Sequence, residues 1–227
     1  MLPRATPGQL TYKVKRDGQL FTAMPCITLC GDTLPPLLVT KHLTLDADVL
    51  ATGLRQNEDV IIVHGPKGYV NTPIVIAWAQ DVVVPYVDSL RPMKLGEQEE
   101  AILLLDNLPA HKNEGFLQIL NHARIRPVFI PPHSSHALQA EDLLTFALLK
   151  QELKKSNNLN DMKTQAQRIS NLVAAIEAAT TQSRNRSAFR RAGIASKVAN
   201  CRLEATIDEV QWNLRICELF PGDAVQN

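Results

Sequence analysis

Between Ala101 and Leu105 the chain runs through an unbroken apolar segment, Ala-Ile-Leu-Leu-Leu, and stops at once on Asp106. A run this short, continuous and branched suits a strand buried on both faces of a sheet that helices cover, which directs the chain toward an α/β arrangement. Asp106 then stands at the carboxyl end of that strand. In open α/β sheets this is the edge where loops converge and ligands bind. The following Asn107-Leu108-Pro109 also suits a turn opened by Asp106, because Asp and Asn side chains readily bond to backbone two residues on. The residues alone leave both readings open.

The surrounding pattern supports a mixed sheet. A short helix is expected near Asn113, a second buried strand over 126–130 (Arg-Pro-Val-Phe-Ile), and a helix from about Glu141 to Lys155 with Leu144, Leu148 and Leu149 inward. That is a βαβ order. Upstream, residues 10–16 and 20–30 alternate as strands do, and Asp17-Gly18 between them is a strong hairpin signal. Gly31-Asp32-Thr33 is a second turn, leading to a third extended segment whose Pro35 and Pro36 suit a strand start or an edge. A short helix over Asp46 to Gly53 and a strand over Val60 to Val63 follow. Thr72 reads as an N-cap with Pro73 at the first helical position, and Ile74, Trp78 and Val82 recur every four residues, which predicts a helix that ends near Val84, before Pro85. After Ser156-Asn157-Asn158 the composition turns to polar helix formers, with helices expected over 161–181, 184–192 (ended by Gly193) and 204–219. The expected division is therefore a domain over 1–155 and a helical C-terminal extension over 156–227, without internal repeats.

Bulk properties narrow the function. The formal net charge of +1 says little globally, but Arg184, Arg186, Arg190, Arg191, Lys197 and Arg202 follow one another with no acidic residue between them, a cluster that attracts a polyanion. No apolar segment reaches the roughly 20 residues that span a bilayer, and the first residues lack the apolar centre of a secretory signal, so an intracellular location is expected. Cys26, Cys30, Cys201 and Cys217 show no CxxC spacing and read as reduced thiols. Neither GxGxxG nor GxSxG occurs, which argues against a small-molecule α/β enzyme built on a phosphate loop or a nucleophile elbow.

The second informative stretch is Pro131 to Lys150, PPHSSHALQAEDLLTFALLK. Two prolines end a strand, a polar loop with His133 and His136 crosses the sheet edge, and Asp142 opens the next helix. Asp106 and Asp142 thus meet at one edge and could hold a hard divalent cation such as Mg2+, which takes oxygen ligands and keeps several waters. Asp142 suits a helix start equally well.

Together, LLLDNLPAH, VFIPPHSSHALQAEDLLTFALLK, GDTLPPLLVT, GPKGYVN with Trp78 beyond it, and AFRRAGI resemble the pogo-like transposases and their DDE endonuclease domain, over about Leu20 to Ile194 and with thirty-five residues between Asp106 and Asp142. The resemblance implies an RNase H-like fold and an aspartate triad that holds two Mg2+ or Mn2+ ions to cut and rejoin DNA, ions about 4 Å apart clamping the in-line transition state. Asp106 matches the second aspartate of that triad and Asp142 the third. Asn107, His111, His133 and His136 match recurrent positions suited to supporting the ligands or touching DNA, and Arg184, Arg186, Arg190 and Arg191 fall where DNA contact is expected. In the family the approach to the third aspartate reads LQPLD; here Ala140 and Glu141 replace the proline and leucine. No segment matches the strand that carries the first aspartate, Asp17 and Asp32 being turn residues, and no small N-terminal DNA-binding domain is seen. The expectation is a truncated or decayed transposase, or a piece of a longer product, nuclear, binding DNA and capable of homo-oligomerisation. It should bind metal weakly and be inactive by itself. The alternative is a domesticated, non-catalytic DNA-binding or interaction module.

Overall fold

The computed structural model describes residues 22–41, 45–92, 95, 98–155, 164–199 and 202–207. The expected strand 10–16 and the Asp17-Gly18 turn lie outside the described residues. The first hairpin joins β1 (Thr22–Ile27) to β2 (Thr33–Thr40) through Gly31, whose φ of 101° is natural for glycine and strained for any side chain. The antiparallel register slips between Met24 and Cys26. Pro25 sits in that slip and Pro35 and Pro36 face it from β2, residues with no N–H to give to a ladder, so the bulge and the prolines account for each other. After α1 (Leu45–Leu50), β3 (Ile61–His64) returns parallel to β2, which makes β2 the central strand. Leu37 to Thr40 are accordingly buried.

The helix expected to stop before Pro85 continues past it. α2 (Thr72–Trp78) is capped by Asn71, one residue ahead of the expected Thr72, with the Asn71 side chain accepting the Ile74 N–H. It passes through a π turn at Ala79–Val83 into α3 (Val84–Leu90). Proline in a regular helix loses one backbone bond and its ring collides with the carbonyl four residues back. A wider i→i+5 turn just ahead of Pro85 relieves that collision.

The βαβ unit forms in the expected order: β4 (Ala101–Leu105), a 3₁₀ turn at Pro109–Lys112, α4 (Glu114–His122) capped by Asn113, and β5 (Ile125–Phe129) parallel to β4. The expected burial of β4 on both faces is not met: Leu105 is buried, but Ile102 is 63% exposed, on a side that the described helices leave uncovered. α5 (Ser135–Leu138), a π turn at Glu141–Thr145 and α6 (Phe146–Lys155) follow. α7 (Gln165–Ala179) begins at a Thr164 cap, and α8 (Gln182–Arg191) ends before Gly193, whose φ is 82°. The C-terminal extension is not helical throughout. β6 (Ile194–Ala199) and β7 (Arg202–Ile207) pair antiparallel, so the helix expected from 204 does not begin there. The alternation of Leu203, Ala205 and Ile207 with polar residues is a strand period. The polar helix formers farther on, outside the described residues, obscured it.

Helices α2 to α4 cover one face, packing Val75, Trp78, Val87, Phe116 and Leu120 on Leu37, Val39, Ile61, Leu105 and Ile125. A second layer sets α1, α6 and α7 on Leu38, Val60 and Ile62. A third cluster joins Ile27 of β1 and Leu104 of β4 to Ala188, Ala192 and Ile194. Each fully buried Leu or Val contributes roughly 1.5–3 kcal/mol of transfer free energy. The two larger sheets therefore share apolar layers, yet among the described residues β1 pairs as a strand only with β2 and β4 only with β5. No described helix is long and apolar enough to cross a membrane.

Candidate functional site

Asp106 follows β4 directly, and its carboxylate turns back on its own loop. Oδ1 accepts the Leu108 N–H at 3.1 Å and meets His111 Nδ1 at 2.8 Å. Pro109 at the start of the 3₁₀ turn is what swings His111 back within reach. The hydrogen bond from His111, helped by the Leu108 N–H, holds the Asp106 pKa below the ordinary carboxylate range against the opposing effect of burial. The side chain remains 43% exposed. With Oδ1 doubly engaged, Oδ2 is the oxygen left for a ligand. His111 is buried and tilts against Phe116, ring centroids 5.9 Å apart.

Asn107 works differently. Its side-chain amide donates to the carbonyl of Ile130, tying the loop after β4 to the end of β5. Beyond Ile130 the backbone is held by Ser134, whose hydroxyl and N–H both donate to the Pro131 carbonyl, and His133 takes a left-handed φ of 63°. His133 and His136 are exposed.

The π turn decides which carboxylates reach this edge. Its i→i+5 bond, from the Phe146 N–H to the Glu141 carbonyl, stacks residues five apart, so Ala140 and Thr145 are both buried inward. Asp142 is exposed, whereas Glu141 is largely enclosed. Burial first, then the charges of Asp142 and Asp106, push the Glu141 carboxyl up to about 7. The burial of the Cys26 thiol in β1, and next the charge of Glu141, push that thiol up to about 12. Glu141 thus feels the charges of Asp142 and Asp106 and acts in turn on Cys26. In the sequence Glu141 stands out as a departure from the LQPLD motif. Its signal was the acidic pair Glu141-Asp142, and its inward placement depends on a turn that sequence does not announce.

The donor set suits a hard divalent cation only in part. Carboxylate oxygens at one sheet edge are the right chemistry, but among the described residues no three His, Cys, Asp or Glu side chains are grouped to close around a metal ion. Asp32 is occupied elsewhere: Oδ2 accepts the Tyr86 hydroxyl at 2.8 Å. Asp17 lies outside the described residues. A cleft of about 650 Å³ lined by Gln80, Val84, Asp88, Arg91 and Arg124 contains none of these carboxylates. Its Arg91 is engaged by Asp88 and by the carbonyls of Glu99 and Ala123.

α8 carries the arginine cluster and packs against the π turn. Arg191 donates to the Leu143 carbonyl at 3.3 Å, next to Asp142, and Arg186 donates to the Cys30 carbonyl at 3.1 Å. Both are exposed, as is Arg190, and a carbonyl partner leaves the guanidinium charge unneutralised. Arg184 differs, pairing with Glu152 at 3.3 Å and reaching the Ala178 carbonyl. The side chains of Lys197 and Arg202 lie outside the described residues.

A search of curated proteins and one of solved structures each returned no match. The family model described as DDE superfamily endonuclease matches residues 18–194. That span takes in both sheets, the carboxylate edge and α8, well over half of the chain, and the chain therefore belongs to the DDE superfamily endonucleases.

Proposed function

We propose that this chain is a transposon-derived endonuclease domain of RNase H-like type, built for metal-dependent cleavage and transfer of DNA strands. The observation that carries the reading is the carboxylate edge: Asp106 at the end of β4, held by Oδ1 so that Oδ2 stays open, faces the charges of the π turn. Asp106 and Asp142 would hold Mg2+ or Mn2+, with Glu141 the inward carboxylate beside them. A metal pair, when bound, lowers the pKa of an attacking water or hydroxyl and neutralises charge on the leaving oxygen. The protein's own part is orientation. His111 fixes the Asp106 carboxylate, Asn107 fixes the loop that bears it, and Arg186, Arg190 and Arg191 attract the phosphates of DNA beside the edge without reading sequence. His133 and His136, exposed in the neighbouring loop, are placed for DNA contact. Nuclear action on chromosomal DNA and self-association belong to the same proposal.

The 227-residue chain alone is expected to bind metal weakly, not to cleave in Mg2+ and to give at most trace nicking in Mn2+, because two aspartates with no third ligand grouped beside them among the described residues clamp both ions poorly. That same shortage is what favours the second reading, a non-catalytic DNA-binding or interaction module. Supercoiled plasmid incubated with the chain in Mg2+ and in Mn2+ separates the two. Trace nicking in Mn2+ that Asp106→Asn removes supports the endonuclease reading. DNA binding with no nicking under any metal, and no metal effect on binding, supports the module.

A further inference from the structure

Among the described residues, Trp78 Nε1 and His111 Nε2 are buried polar atoms without a hydrogen-bond partner. Their residues are 5% and 6% exposed. They belong to elements that pack together, the end of α2 and the 3₁₀ turn at Pro109–Lys112. Trp78 also shares an apolar cluster with Ala110, His111's chain neighbour, and with Phe116, on which the imidazole rests. The two other orphaned atoms, Arg168 Nε and Asn185 Oδ1, belong to α7 and α8.

The chemistry of the first two is complementary. An indole N–H can only donate. At His111 the carboxylate settles the tautomer: ionised Asp106 can only accept, so the nitrogen 2.8 Å from Oδ1 carries the proton. In the neutral ring Nε2 is then purely an acceptor, and a buried acceptor requires a donor. One enclosed water can take the indole proton and give its own to Nε2, since a buried water needs two to four polar partners.

We propose that Trp78 is a positioning residue for Asp106, acting through an enclosed water and His111. The relay runs from the indole N–H to the water, from the water to Nε2, and from Nδ1–H to Asp106 Oδ1. It locks the tautomer, pins Oδ1 and leaves Oδ2 as the oxygen presented at the sheet edge. A hydrogen bond to the outer nitrogen of an imidazole sets which proton the ring carries, as it does for histidines that support metal sites. The use of the relay rests on the proposed role of Asp106 as a metal-binding carboxylate; its existence does not.

The test is long-range ¹H–¹⁵N correlation spectroscopy of the imidazoles in the full ¹⁵N-labelled chain, with His111 assigned by its disappearance in His111→Asn. The expected result is a proton on Nδ1 and a bare Nε2 whose resonance moves in Trp78→Phe. A proton on Nε2, protons on both nitrogens, or an Nε2 resonance indifferent to Trp78→Phe would overturn the relay. The tautomer is read on the unaltered chain, so the test stands even if Trp78→Phe does not fold. Mn2+ titration gives the second readout. Trp78→Phe should weaken binding about 10-fold, and His111→Asn, which keeps a donor near the Nδ1 position, should retain more affinity than His111→Ala. Equal Mn2+ affinity in the unaltered chain and Trp78→Phe would overturn the positioning role. No Mn2+ binding by any form, with the tautomer as expected, would instead overturn the metal reading of Asp106.

Discussion

The carboxylate edge and the junction of α8 with the β1–β2 turn are both rich in polar side chains, and they dispose of them in opposite ways. At the junction the polar groups bind the protein to itself: Asn185, fully buried, gives its amide to the Gly31 carbonyl at 2.9 Å, the Asp32 carbonyl at 3.1 Å and Thr33 Oγ1 at 2.9 Å. Thr33 in turn donates to the Thr180 carbonyl. At the edge, Asp106 keeps an oxygen open, Asp142 faces solvent and Glu141 sits among like charges. Apart from Asn185 Oδ1, which is buried without a partner, the junction satisfies internally the kind of interaction that is left over at the edge, where a ligand must complete it. The arginines of α8 span both regimes, Arg184 serving the scaffold while Arg186, Arg190 and Arg191 keep outward charge.

If this contrast holds, damage to the junction must cost stability, and damage to the edge must cost function. The largest loss is expected from Gly31→Ala. The added Cβ would stand 2.2 Å from Gln182 Cγ and 3.0 Å from the Gln182 carbonyl oxygen, at a φ of 101° that alanine resists. About 3 kcal/mol should be lost in urea unfolding. Asn185→Ala, which strands the Gly31 carbonyl and leaves the Asp32 carbonyl to the Thr28 N–H, should cost about 2 kcal/mol. A change under 0.5 kcal/mol in either would deny the junction its scaffold role.

Glu141→Gln should act with the opposite sign. The folded state keeps the Glu141 proton between pH 4.5 and about 7, where the unfolded chain releases it, so stability falls as pH rises through that window. Removing the charge should flatten the slope and raise stability at pH 8 by on the order of 1 kcal/mol. Asp106, whose pKa is depressed, contributes stability above the ordinary Asp pKa that is lost on acidification through its folded value. Thermal unfolding followed from pH 2 to pH 8, with Glu141→Gln and Asp106→Asn alongside, checks both signs. A slope unchanged by Glu141→Gln would mean that Glu141 is not the inward acid. The smallest effect should come from Arg186, Arg190 and Arg191 replaced together by alanine. Folding should change little, DNA affinity should fall, and the salt dependence should lose roughly one counterion for each phosphate contact removed. DNA binding equal to that of the unaltered chain would assign these arginines to a solvated helix face.

The sequence made β1 to β5 legible, through alternation, turn residues and the continuous apolar run of β4, together with the loop chemistry of Pro109, Asn113 and Gly193. What stayed hidden depends on partners far along the chain. β7 was mistaken for helix because its strand character rests on pairing with β6. The passage through Pro85 and the inward turn of Glu141 both rest on π turns, which local propensity does not encode. The aspartate at the end of β4 was legible because a short apolar run that stops on a polar residue sets that residue at the strand's carboxyl end, even though Ile102 within the run is exposed. That His111 grips one oxygen of it was not, since the 3₁₀ turn that closes the contact is visible only in three dimensions.

The central claim is that the open oxygen of Asp106 belongs to a divalent cation. Calorimetric titration of Mn2+ into the 227-residue chain and into Asp106→Asn tests it most directly. Weak binding, with a dissociation constant on the order of 1 mM, that disappears in Asp106→Asn is the predicted result. Mn2+ binding of the same strength in both proteins would contradict the account.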